Sequence, residues 1–173
     1  MGYRIQNNAR CGVIGYGSWA TALVHTLEKN KKEIWWHIRN EEVLESMQTE
    51  GRNAKYLNDI EFNKDKIVAT SDLDEVVRNC EIILVAAPSA YLKKFLEELT
   101  EPLDGKFIIS ATKGIVPDEL ITITEYFNRT YGLSYDNLGL ISGPSHAEEV
   151  GMDRLSYLTV ACKDEENARK IGD

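Results

Sequence analysis

The sequence predicts an α/β fold, a doubly wound and mostly parallel sheet covered by helices on both faces. Three observations predict it. Strand-like and helix-like segments alternate along the chain. Glu81-Ile82-Ile83-Leu84-Val85-Ala86-Ala87 is apolar after its first residue, as in a central parallel strand buried on both sides. Between the first strand and the first helix stands Gly15-Tyr16-Gly17-Ser18-Trp19-Ala20, a Gly-x-Gly-x-x-Ala turn. Strand, turn and helix in that order are the fingerprint of a Rossmann-type dinucleotide-binding sheet.

Each element has its own signal. Residues 9–14 end in an apolar strand, and Ala20, Leu23, Val24 and Leu27 follow at helical spacing. Ile34-Trp35-Trp36-His37-Ile38 is β-branched and aromatic, a strand. Glu41 to Glu50 reads as a helix with Asn40 at its N-cap and Val43, Leu44 and Met47 as its apolar stripe. Residues 51–64 read as a loop, and Ile67-Val68-Ala69 as a short strand. Ser71 is expected to cap a helix through Val77, with Asp72 and Asp74 favouring its positive end. After the 81–87 strand, Pro88-Ser89 opens a helix through Leu99. Lys106 to Ser110 is the next strand, and Asp118 to Asn128, just after Pro117, a helix. Leu138 to Ile141 and Leu155 to Cys162 complete the strands, and Asp164 to Ile171 begins a last helix. Residues 1–8 read as a polar tail, and residues 9–173 as one dinucleotide-binding domain.

The turn carries the chemistry. Gly15 permits a sharp bend, and Gly17 lets a pyrophosphate approach the backbone. The small Ala20 lets helix and strand pack closely. Ser18 stands where a hydroxyl and free amides at the helix start reach a phosphate. An ordinary glycine-rich turn is the competing reading. Arg39 ends the second strand, about 20 residues after the glycines, where an acid would bind the ribose 2′-hydroxyl of NAD. An arginine suits the 2′-phosphate of NADP instead. NADP(H) is therefore favoured over NAD(H), against the alternative of a solvated turn arginine. Strand ends at 87–89, 111–114 and 142–148 complete the edge where such sheets bind ligands.

Composition narrows the rest. The 173 residues are 43% hydrophobic and 28% charged, with a formal net charge of -8. That balance opposes a nucleic-acid surface, which needs a basic patch. No apolar run approaches the roughly 20 residues of a membrane-spanning helix. The first ten residues lack a signal-peptide core, so the cytoplasm is expected. Cys11, Cys80 and Cys162 lie far apart and read as reduced thiols. His25, His37 and His146 share no ligand spacing, and no metal is expected.

Several segments resemble one family. Residues 13–23, Val-Ile-Gly-Tyr-Gly-Ser-Trp-Ala-Thr-Ala-Leu, resemble the V-I-G-x-G-S-W-G-T-A-L opening of bacterial-type NAD(P)-dependent glycerol-3-phosphate dehydrogenases. Ala111-Thr112-Lys113-Gly114-Ile115 is similar to their A-T-K-G-I/L segment, and Ser142 to Val150 to their S-G-P-S/T-F/H-A-x-E-V. Tyr56-Leu57 resembles their N-x-x-Y/F-L-P stretch, with Asn58 where proline is usual. Ala20 stands for the family's glycine.

The resemblance implies roles. It makes Gly15, Gly17, Ser18, Trp19, Arg39, Lys113 and Ala147 cofactor contacts. It makes Lys113, Gly143 and Ser145 substrate contacts. Packing at the helix–sheet interface is the other reading of Trp19, and a Gly-Pro turn that of residues 143–147. Phenylalanine often stands in the family where His146 does, so a catalytic histidine is not expected. The implied reaction interconverts sn-glycerol 3-phosphate and dihydroxyacetone phosphate by hydride transfer, feeding phospholipid synthesis. Family members continue into a helical C-terminal domain that carries the lysine base. This chain is expected to be the N-terminal portion of such an enzyme, with no catalytic residue of its own. A homodimeric parent is allowed. The rivals are a ketopantoate- or 6-phosphogluconate-type dehydrogenase and a non-catalytic dinucleotide sensor.

Overall fold

The computed structural model describes residues 2–173. Seven strands form one sheet: β1 (Cys11–Ile14), β2 (Ile34–His37), β3 (Ile67–Thr70), β4 (Ile82–Val85), β5 (Phe107–Ser110), β6 (Leu138–Ser142) and β7 (Thr159–Cys162). Their spatial order is β3-β2-β1-β4-β5-β6-β7. The first six run parallel, and β7 pairs antiparallel with β6, Ser142 opposite Thr159. The chain winds outward from β1 to one edge and then to the other. The crossing-over point therefore lies between β1 and β4, where such sheets hold ligands.

The apolar strands bury both faces by alternation. Cys11, Val13, Ile82, Leu84, Phe107 and Ile109 face one core. Ile14, Ile83, Val85 and Ile108 face the other. The first is closed by α1 (Ser18–Asn30), α2 (Glu41–Glu50) and, at its margin, α7 (Glu165–Gly172). The second is closed by α3 (Leu73–Asn79), α4 (Leu92–Leu96) and α5 (Ile123–Tyr131). The short α6 (Ala147–Gly151) lies on α1. Asn40 caps α2 as expected, accepting from the Val43 amide at 3.1 Å.

Four expectations are corrected. Asp72, not Ser71, caps α3, accepting from the Glu75 amide. The helix expected from Pro88-Ser89 through Leu99 is a 3₁₀ turn over Ser89–Tyr91 followed by the five residues of α4. The helix expected over 118–128 begins later. Residues 117–120 form a turn closed by a bridge between Val116 and Ile121, and Thr122 caps α5 by accepting from the Glu125 amide. Thr-x-x-Glu is the stronger start signal because it satisfies an orphan amide, which Pro117 does not. Residues 155–158, expected in the last strand, lie outside it, with Leu155 and Tyr157 exposed.

The expected polar tail also packs. Met1 lies outside the described residues, but Ile5 is buried and the Tyr3 ring packs tilted against Phe107. The Ile5 amide donates to Asn167 Oδ1 at 2.9 Å, and Asn167 Nδ2 donates to the Tyr3 carbonyl at 2.7 Å. Lys170 Nζ donates to the Ile5 carbonyl at 2.8 Å.

His37, at the end of β2, is fully buried, and neither ring nitrogen has a hydrogen-bond partner of good geometry. Burial pushes its pKa from 6.5 down to about 4, against a smaller upward pull from the Ser71 backbone. The unfolded chain thus takes up the extra proton between those values. Stability is complete above pH 6.5 and falls as the pH drops toward 4, by up to ~3 kcal/mol. The carboxyls of Asp74 and Glu81, held below their ordinary 3.8 and 4.5, lose their contribution as the pH falls through and below those values, toward the acid end of this range. Thermal melts from pH 7 to 4.5 are expected to show a falling midpoint that His37→Phe flattens. An unchanged slope in the variant would assign the acid sensitivity elsewhere.

Candidate cofactor and substrate site

The two glycines of the first turn serve different needs. Gly15 has φ +116°, and a Cβ there would stand 2.8 Å from the Ala86 carbonyl carbon and 2.9 Å from the Ala87 nitrogen. Only glycine fits both the angle and the approach. The Trp36 indole donates to the Gly15 carbonyl at 2.6 Å. Gly17 has an ordinary extended backbone, φ -74° and ψ -175°, and is the N-cap of α1. A Cβ there would meet nothing within 4 Å. The space in front of it leads to the start of a 13-residue helix that has no side-chain cap and no acidic residue in its first turn. Its positive end is left for an anion.

Asn53 holds this turn from behind. It is fully buried in the stretch read as a loop. Its Nδ2 donates to the Tyr16 carbonyl and to Thr21 Oγ1, both at 2.9 Å, and its Oδ1 accepts from the Lys55 and Tyr56 amides at 3.1 Å. Sequence reasoning did not single it out, although it is the first residue of the N-x-x-Y-L stretch.

A cleft opens on either side of the turn. On one side a cavity of about 440 Å³ is lined by Gly17, Arg39, Tyr56, Pro88, Tyr91 and Phe95, among others. The Arg39 guanidinium lies 5.4 Å from the centre of the Phe95 ring. On the other side a cavity of about 360 Å³ is lined by Trp19, Ser110, Lys113, Thr122, Leu140 and Gly143, among others. The Ser110 hydroxyl in its wall is buried without a hydrogen-bond partner. Trp19 spans the top of the sheet, its indole donating to the Ala111 carbonyl at 2.8 Å. Lys113 Nζ stands 5.0 Å from the Trp19 ring centre and donates to the Ser145 carbonyl at 3.0 Å.

The sequence candidates thus gather along one edge. Gly15, Gly17, Ser18 and Trp19 form the turn and helix start, Arg39 lies to one side, and Lys113, Gly143 and Ser145 lie to the other. Gly143 has φ +151°, and a Cβ would collide with the Tyr157 carbonyl oxygen. The Ser145 hydroxyl turns away from Lys113 and donates to the Tyr157 carbonyl at 2.9 Å. Ser145 therefore meets Lys113 through its backbone. Ala147 is the first residue of α6, and the exposed His146 is its N-cap.

These residues fit a dinucleotide: an open cradle at Gly17, an uncapped helix start, and an apolar shelf with a cation on one side. Among the described residues no group of three or more His, Cys, Asp or Glu is placed to hold a metal ion.

Known proteins resemble this chain in sequence and in fold. The sequence model described as NAD-dependent glycerol-3-phosphate dehydrogenase N-terminus matches residues 10–168. The glycerol-3-phosphate dehydrogenase [NAD(P)+] of Oceanobacillus iheyensis is 32% identical over 165 residues, covering 95% of this chain and 47% of that protein. The Lysinibacillus sphaericus protein of the same name is 34% identical, over 93% and 48%. The chain spans about half the length of these curated relatives. Its fold matches the glycerol-3-phosphate dehydrogenase of Plasmodium falciparum with a TM-score of 0.83 at 24% identity, over 95% of this chain and 50% of that one. The Coxiella burnetii enzyme gives 0.82 at 23%, over 96% and 50%.

Two substitutions check the geometry. Gly17→Val places its branches in open space, so the fold is expected to survive with an unchanged melt while NADPH binding in calorimetry is lost. Retained binding would move the pyrophosphate elsewhere. Asn53→Ala leaves the Tyr16 carbonyl and two amides without their partner, and is expected to lower stability by about 1–3 kcal/mol in denaturant melts.

Proposed function

The chain belongs to the NAD-dependent glycerol-3-phosphate dehydrogenase family, and from that premise we propose that it forms the cofactor-holding half of an enzyme interconverting sn-glycerol 3-phosphate and dihydroxyacetone phosphate. Family membership favours this reading over the ketopantoate- and 6-phosphogluconate-type alternatives. The observation that carries it is the convergence of the open Gly17 cradle and Lys113 on one sheet edge.

Each residue has a physical task in this proposal. The amides at the start of α1 hold the pyrophosphate, helped by Ser18. Arg39 and the Phe95 ring receive the adenosine end, and the arginine favours the 2′-phosphate form. Trp19 and Ala147 bound the nicotinamide end. Lys113 sits beside the reacting carbon, where its charge holds the anionic substrate and polarises the carbonyl oxygen. Gly143 and the Ser145 backbone shape the wall that lysine leans on. When bound, NAD(P)H supplies the hydride. The proton donor and acceptor is assigned to the half of the enzyme that this chain does not span, following the family resemblance.

The setting is proposed as cytoplasmic, in phospholipid synthesis. Cys11, Cys80 and Cys162 are free thiols, as a reducing compartment favours. Burial pushes the Cys80 thiol up to about 12, which makes it inert. No helix among the described residues is long and apolar enough to cross a membrane. A homodimer is the assembly proposed for the whole enzyme, on the resemblance alone.

The test separates binding from turnover. These 173 residues alone are expected to bind NADPH without reducing dihydroxyacetone phosphate. In the whole enzyme, Lys113→Ala is expected to lower kcat/KM by about 10²–10³-fold, with NADPH binding weakened far less. Turnover by the 173 residues, or an unimpaired Lys113→Ala enzyme, followed by NADPH absorbance, would overturn the assignment.

A further inference from the structure

Arg39 does not stand free in its cleft. Among the described residues, the hydrogen bond, ring contact and ion pair of its guanidinium come from α4 and the residues just after it. Nη1 donates to the Lys94 carbonyl at 3.0 Å, and the cation lies over the Phe95 ring. Nη2 lies 3.5 Å from Glu98 Oε1. The two partners of this ion pair differ in their surroundings. The Arg39 side chain is 25% exposed and the Glu98 side chain 60%. The cation is fixed by a carbonyl and a ring, while the carboxylate faces water and is held by little else.

We propose that Glu98 is a specificity-determining residue of this cleft, competing with the 2′-phosphate of NADP(H) for the Arg39 guanidinium. The inference rests on the cofactor reading given above. Its logic is a difference between two ligands. The 2′-phosphate is a dianion that seeks two of the N–H groups on the planar guanidinium. To reach them it must displace Glu98 from the guanidinium. The 2′-hydroxyl of NADH carries no charge and leaves the pair intact. Glu98 therefore weakens one cofactor selectively, and restrains the preference that Arg39 creates. The pair can be displaced because exposed ion pairs are weak, whereas a phosphate held by arginine is not. The carbonyl bond to Lys94 and the Phe95 ring keep Arg39 in place when Glu98 leaves it.

Calorimetric titration of the protein with NADPH and with NADH tests this, in wild type, Glu98→Gln, Arg39→Ala and the double variant. Glu98→Gln is isosteric and exposed, and its thermal melt is expected to match wild type. It is expected to tighten NADPH about two- to fivefold and leave NADH unchanged. Raising the salt concentration should shrink that gain. Arg39→Ala is expected to remove most of the wild-type preference for NADPH, and Glu98→Gln should then add nothing. An unchanged NADPH/NADH ratio in Glu98→Gln overturns the role of Glu98 alone. So does an equal gain in the Arg39→Ala background, which would mean simple repulsion rather than competition. A wild-type protein that binds neither dinucleotide overturns the cofactor reading itself, and this inference with it.

Discussion

Everything at the ligand edge depends on one close approach of backbone to backbone. Gly15 leaves β1 with a left-handed φ and lies against the peptide between Ala86 and Ala87. A methyl group there would force β1 and β4 apart at their ends, where the sheet changes winding direction. With the hydrogen atom, the strands stay paired, Ile14 beside Val85, and the chain turns directly into α1. The first turn of α1 then faces the cleft. Trp36 and Asn53 fasten the same turn through the Gly15 and Tyr16 carbonyls, so β2 and the loop after α2 inherit their places from it. Helix α6 lies on α1 in turn, which sets residues 143–147 beside Lys113.

The two cavities divide this edge by chemistry. The Arg39 side is aromatic and cationic, suited to a flat base and a phosphate. The Lys113 side is bounded by hydroxyls and small residues, suited to a polar, compact substrate. The wall between them is the Gly-rich turn with Trp19. A ligand that spans both must cross the start of α1, which orients it with its phosphates at the helix. On the proposed reading, the fold lays a dinucleotide across the helix start, and the side chains of the two cavities decide which end lies where.

Most of the fold was legible in the sequence because its signals are local. Unbroken apolar runs marked the central strands, and Asn40 marked the start of α2. The errors arose where two local signals competed or where a contact is distant. Pro117-Asp118 looked like a helix start, but the turn closed by Val116 and Ile121 consumes those residues, and Thr122 with Glu125 begins the helix. At the site, the glycines and Arg39 stood out by residue type and spacing, and Lys113 only by the family resemblance of its segment. Asn53 lay hidden in a polar stretch because its burial depends on Tyr16 and Thr21, far away in the chain. The partners of Arg39 were equally hidden, since α4 meets β2 only in three dimensions. The direction of the Ser145 hydroxyl was not legible either, because its acceptor, the Tyr157 carbonyl, lies beyond α6 in the chain.

The clasp between residues 3–5 and α7 has a consequence for synthesis. Asn167 and Lys170 satisfy backbone groups of Tyr3 and Ile5, which leave the ribosome well before α7 does. At about 5–20 residues per second, those groups wait on the order of ten to thirty seconds for their partners. Meanwhile β1 to β5 can assemble with Ile5 still unanchored. The clasp therefore closes only after the strands between its two ends have been made, and it ties residues 3–5 to a helix more than 160 residues away. Ribosome-bound intermediates that lack α7 would carry the Gly15 turn while residues 3–5 were still without their partners.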